Sequence, residues 1–174
     1  MSETGRTLVV LVQDHPGVLT RVASLFRRRN FNIESLVVGH SEQPGISRMT
    51  VVAAGSEQEV DQIVKQLQKL VEVLEVRDVT DGSPLLREMA LIRVRAEGPE
   101  RTEVTELAKL FNARVVDVAH STITLEMTGS ETKVDSLVRL LTKFGIEEMV
   151  RSGRIAMARD RATEPAGSVE ALSA

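Results

Sequence analysis

Leu8-Val9-Val10-Leu11-Val12 is an unbroken apolar run, Gln13-Asp14-His15-Pro16-Gly17 interrupts it, and Val18, Leu19, Val22, Ala23, Leu25 and Phe26 then recur at helical spacing before Phe31-Asn32-Ile33-Glu34. A run this short suits a strand buried on both faces. The change of period marks a helix with Thr20, Arg21, Ser24, Arg27 and Arg28 on its solvent side. Pro16 presets φ for the start of that helix, and Gly17 leaves its first turn without a side chain on one side. The N–H groups of Gly17, Val18 and Leu19 are therefore predicted to be free to face a ligand. A helix N-terminus carries partial positive charge and unpaired donors, so a carboxylate is the species it accepts best. Asp14 supplies the opposite sign for an ammonium group, and Val18, Leu19 and Ile33 suit an aliphatic side chain. Together they read as a seat for a small amino acid. Capping of the helix by Asp14 is the simpler role that the turn alone allows.

Outward from the turn, the run Arg27-Arg28-Arg29 reads as a solvated helix end, since cations belong near a helix C-terminus. Asn30 fits as the helix-ending residue. Phe31 to His40 reads as a strand, with Phe31, Ile33 and Val37 on one face and Asn32, Glu34, Leu36 and Val38 on the other. Ser41 to Gly45 is a hairpin loop, and Met49, Val51 and Ala53 alternate along the next strand. Gly55-Ser56 introduces a helix whose Val60, Ile63, Val64, Leu67 and Leu70 form one stripe, and a strand over roughly Val73 to Val79 follows. The order is strand, helix, strand, strand, helix, strand. It returns after the turn-rich Thr80 to Pro84: a strand over Glu88 to Ala96, a helix carrying Val104, Leu107, Ala108 and Phe111, strands over Ala113 to Ala119 and around Ile123, Leu125 and Met127, a helix capped by Ser130, and a final strand over Ile146 to Val150 that resumes at Ile155 to Met157. The expected fold class is α+β, two ferredoxin-like βαββαβ units in tandem. Residues 1–80 are expected to form the first domain, residues 84–159 the second, and 160–174 a disordered tail.

Composition narrows the function. The chain has 174 residues, a formal charge of −3 and no cysteine. Without cysteine there are no disulfides, thiolate nucleophiles or Cys-based metal sites, which fits a reducing cytosol. No apolar run approaches the about 18 residues of a membrane span, and Met1 to Arg6 is short and polar, so no membrane segment or signal peptide is expected and the protein is placed in the cytoplasm. The mild acidity and an aromatic content of 2%, all Phe, argue against a nucleic-acid partner. Copper chaperones of this element order need a Cys-X-X-Cys loop. A nickel-responsive regulator needs clustered histidines, whereas His15, His40 and His120 stand apart and read as loop or strand-end residues. No nucleophile, base and acid set is evident, and Arg48 and Asn32 lack the phosphate-cradling loop of an acylphosphatase-like enzyme. No catalytic residue and no metal ligand is expected.

In a sheet of this order the second and fourth strands lie at the edges. The second, Phe31 to His40, has neither proline nor lysine to block pairing, and such an edge is usually covered. Pairing with the same strand of a second copy would bring Asn32 and Ile33 near the other copy's Asp14 to Gly17 turn. A homodimer, or a higher assembly, with ligand pockets at its interface is expected.

Asp14-His15-Pro16-Gly17-Val18-Leu19 resembles the amino-acid-binding turn of ACT domains. The longer run Arg29-Asn30-Phe31-Asn32-Ile33-Glu34-Ser35-Leu36, with Ser47-Arg48-Met49-Thr50 and Lys65-Gln66-Leu67-Gln68-Lys69-Leu70, resembles the small regulatory subunit of acetolactate synthase (acetohydroxyacid synthase). This covers the first unit almost completely; the second agrees in length and layout. The resemblance implies a subunit without catalytic residues of its own, which activates a catalytic (large) subunit and confers feedback inhibition by valine, in some members with isoleucine or leucine, in branched-chain amino acid synthesis. Thiamine diphosphate, Mg and FAD are then expected on the catalytic subunit and no cofactor on this chain. The family's effector positions carry over to Asp14, Gly17, Val18 and Leu19 of one copy with Asn32 and Ile33 of the other. Many members have Asn where this chain has Asp14. The second unit has Glu97-Gly98-Pro99-Glu100 at the equivalent turn and is assigned no amino-acid site. A stand-alone ACT module that senses an amino acid and regulates another target is the alternative, and would need a DNA-binding or catalytic segment that the chain does not display.

Overall fold

The computed structural model describes residues 5–159, so the tail expected over 160–174 lies outside the described residues. The first unit runs β1 (Arg6–Gln13), α1 (Val18–Arg28), β2 (Ile33–His40), β3 (Ile46–Ala53), α2 (Glu57–Leu67) and β4 (Val73–Asp78). Its sheet has the order β2-β3-β1-β4, all antiparallel. Alternation assigns Leu8, Val10 and Val12 of β1 and Met49, Val51 and Ala53 of β3 to one face. There they are buried against Val22, Leu25 and Phe26 of α1 and Val60, Ile63 and Leu67 of α2. Each of these side chains larger than alanine contributes about 1.5–3 kcal/mol on leaving water. Ser56 and Glu59 close a reciprocal capping box at the start of α2. Asn30 takes φ 58° just past α1, the left-handed position expected of a helix-ending Asn.

The second unit runs β5 (Leu85–Arg95), α3 (Glu100–Phe111), β6 (Arg114–Val118), β7 (Thr122–Gly129), α4 (Glu131–Leu141), a short 3-10 turn (Thr142–Phe144), β8 (Ile146–Arg151) and β9 (Ile155–Met157). Its sheet repeats the plan as β6-β7-β5-β8. Ala90, Ile92, Val94, Ile123, Leu125 and Met127 face Val104, Ala108, Val134 and Leu137 of the helices in a separate core.

Two details differ from the sequence reading. β2 begins at Ile33 rather than Phe31, and a bulge between Ile33 and Ser35 resets its alternation. Ile33 and Leu36 consequently pack on the same core, although strict alternation sets them on opposite faces. β9 does not extend β8. It pairs with the start of β5, Leu86 opposite Ala156, because the turn at Gly153 (φ 83°) redirects the chain.

That redirection joins the units. Ala156 is buried with Val9 and Val79 in a third cluster, against which half-buried Leu86 packs. Arg48 Nη2 donates to Ala156 O at 2.8 Å, Arg154 N donates to Ser35 Oγ at 3.1 Å, and Arg154 Nη1 donates to Thr7 Oγ1 at 3.1 Å while its other amine pairs with Glu131. The face of the first sheet turned away from its helices is thereby covered: Thr7, Val9, Thr50 and Val52 are all buried.

Candidate functional site

The β1–α1 turn is built as its residues dictate. Gly17 caps α1 at φ 93°, ψ −15°, and no side chain caps the helix. A Cβ on Gly17 would meet nothing within 4 Å, so the requirement for glycine is backbone conformation and not space. The first internal bond of the helix is Arg21 N to Gly17 O at 3.0 Å, and Val18 N reaches His15 O at 3.5 Å. Among the described residues, the amides of Gly17, Leu19 and Thr20 donate to no backbone carbonyl. This is the donor-rich helix N-terminus that favours an anion.

Asp14 is not the helix cap. Its amide donates to Gly45 O at 2.8 Å, which fixes the turn against the β2–β3 hairpin, and its carboxylate lies 3.1 Å from His40 Nδ1 at the end of β2. The turn is braced from behind: Gln13 N donates to Glu72 O at 2.9 Å, and the buried Glu72 carboxylate pairs with Arg21 on α1. The sequence reading missed both His40 and this brace, because the partners are far apart in the chain and no local period links them.

The side chains divide. Val18 is 3% exposed and belongs to the core, and its amide, expected to be free, is turned back onto His15 O; Leu19 is 45% exposed and stands free beside the turn. Asn32 is exposed and Ile33 half-buried. Within one chain these two residues are nowhere near the turn. Ile33 pairs with Ala53, as does Arg6 at the start of β1, whereas Gln13 pairs with Ile46 and His40 with Ser47 at the other end. The length of β1, about 23 Å at about 3.3 Å per residue, therefore separates the two halves of the expected site.

Two open ends of one sheet, one with unpaired helix amides and an acidic side chain and the other at the start of an edge strand, define an ACT-type module. Residues 8–75 match the family model described as AHAS small subunit-like ACT domain, and residues 87–160 match that of the small subunit of acetolactate synthase. The chain belongs to the acetolactate synthase small-subunit family. It is 48% identical over 153 residues to the probable acetolactate synthase small subunit of Archaeoglobus fulgidus, spanning 88% of this chain and 96% of that one. It is 49% identical over 153 residues to the acetolactate synthase small subunit of Mycobacterium leprae, spanning 88% and 90%. The crystal structure of the small subunit from Thermotoga maritima superposes with a TM-score of 0.83 at 39% identity, over 88% of this chain and 96% of that one. The expected tandem of two βαββαβ units is thus observed. No helix among the described residues is long and apolar enough to cross a membrane.

Proposed function

We propose that this chain is the regulatory partner of an acetolactate synthase catalytic subunit, and that it binds valine between two copies of its first unit. The reaction, with its thiamine diphosphate, Mg and FAD, belongs to the catalytic subunit. The observation that carries this reading is the placement of the site's two halves at opposite ends of a sheet whose β2 edge is open. Antiparallel pairing of β2 with β2 of a second copy sets the start of one strand beside the end of the other. Asn32 and Ile33 of the second copy then arrive at the level of His40, which already touches Asp14. The free amides of Gly17 and Leu19 receive the carboxylate, Asp14 the ammonium, and exposed Leu19 with the second copy's Ile33 the isopropyl group. Valine bridging two chains shifts them between packings by its differential affinity for each, and the catalytic subunit responds to the shift.

Calorimetric titration of the chain with valine, isoleucine and leucine, followed by activity assays with a catalytic subunit, tests the reading. Valine binding is expected to weaken at least ten-fold in Asp14→Ala, with activation of the catalytic subunit retained. Unchanged inhibition in this variant at the same valine concentration would remove the pocket assigned here.

A further inference from the structure

The second unit has an open edge of its own. β6, Arg114-Val115-Val116-Asp117-Val118, pairs with β7 on one side and with nothing among the described residues on the other. All five of its residues are exposed, Val116 and Val118 at 48% and 57%. Proline and lysine, the usual guards against edge pairing, are both absent from it.

The edge is also held in shape. Ala113 N donates to Ala108 O at 2.7 Å at one end; at the other, Ala119 N donates to Thr122 O at 2.9 Å, and Arg101 from α3 donates to His120 O and Ala119 O at 2.7 and 2.9 Å. Such an edge presents its free backbone groups without a large ordering cost.

Its charges select a partner. In a regular strand Arg114 and Asp117, three residues apart, would point to opposite faces. A bulge between Val115 and Asp117 resets the alternation, so that Arg114 lies opposite Glu126, with which its guanidinium pairs within the chain, and Asp117 opposite Thr124, both on the face away from the helices. Arg-Val-Val-Asp then reads as its own complement when reversed. Antiparallel alignment of two such strands sets Arg114 against Asp117 at both ends and valine against valine between them, with both ion pairs on one face. A two-fold axis perpendicular to the sheet produces this alignment and keeps that face common to both copies.

We propose that β6 pairs antiparallel with β6 of a second copy, Arg114 of each facing Asp117 of the other, so that the two second-unit sheets run on as one. This surface is separate from the β2 edge and does not depend on the effector reading.

Sedimentation velocity over a concentration range, on the full chain, tests it. Asp117→Arg sets arginine against arginine at both ends and is expected to weaken self-association at least ten-fold, with the circular dichroism spectrum unchanged. Arg114→Glu/Asp117→Arg/Glu126→Arg exchanges the in-chain and cross-chain pairs together and is expected to restore it. The chain has no cysteine, so Val116→Cys reports on β6 alone: a short bismaleimide is expected to link two copies, and to fail when Asp117→Arg is added. Self-association at the parent level in Asp117→Arg overturns the proposal, as does absence of the link at position 116. Loss of catalytic-subunit binding in Asp117→Arg without loss of self-association also overturns it, and assigns the edge to that partner.

Discussion

Asp78 shows how a single side chain ties a strand end into this fold. It accepts from Arg6 Nε at 2.8 Å, from Thr80 N at 2.9 Å and from the Thr80 hydroxyl at 2.6 Å, while Thr80 Oγ1 accepts from Thr7 N at 2.9 Å. Burial pushes its pKa up, but the Thr80 donors and Arg6 together outweigh burial and hold the carboxyl below its ordinary value. A folded-state pKa lowered in this way stabilises the protein above the unfolded value of about 4, and the stabilisation is lost as pH falls through the lower folded value. Asp78→Asn is therefore expected to lower the midpoint of urea unfolding at pH 7, and the gap from the parent chain is expected to close in titrations carried below about pH 4. At the same scale, Gly17 and Asn30 were legible in the sequence because each meets a backbone requirement stated by its immediate neighbours. His40 was not, because its relation to Asp14 exists only once the β2–β3 hairpin has folded.

Among the elements, α1 depends on β4's lead-in for its position. Glu72 is buried and its carboxylate pairs with Arg21, whose own side chain is largely exposed. Removing the arginine leaves a buried acceptor unsatisfied, which costs about 1–3 kcal/mol. Arg21→Ala is expected to lose that much in urea unfolding, and Arg21→Ala/Glu72→Gln to recover part of it. The order and type of the elements were legible because period 2 and period 3.6 alternate cleanly along both halves of the chain. What escaped was the bulges. A bulge leaves composition and length unchanged and shifts a strand's facing by one residue, so strict alternation sets Ile33 and Leu36 on opposite faces of β2, and Arg114 and Asp117 on opposite faces of β6, where the folded strands bring each pair to one face. β9 escaped for a related reason. Ile155 to Met157 reads as strand from its residues, but its partner, the start of β5, is chosen by the turn at Gly153.

Across the whole molecule, the two units meet through the segment from Arg151 to Met157. Gly153 sits so close to β2 that a Cβ would lie 2.7 Å from Ser35 Oγ and 2.9 Å from Val37 Cγ2, and its φ of 83° disfavours any side chain. Gly153→Ala is expected to destabilise the protein by more than about 1 kcal/mol, and hydrogen exchange is expected to show faster opening of the amides along β2 while those of α3 and β7 keep their protection. The candidate site was legible as a turn and a strand end. The covering of β2's outer face was not, because Ser35 and Arg154 are 119 residues apart.

The Arg154 to Ser35 bond has a mechanical consequence. A strain set up at the start of β2 has a short path out of its own unit, through a serine hydroxyl into the backbone of the loop that follows β8, and from there by the Arg154 guanidinium to the first turn of α4. A protein that gripped α4 alone would thus feel a change at the far sheet without touching it.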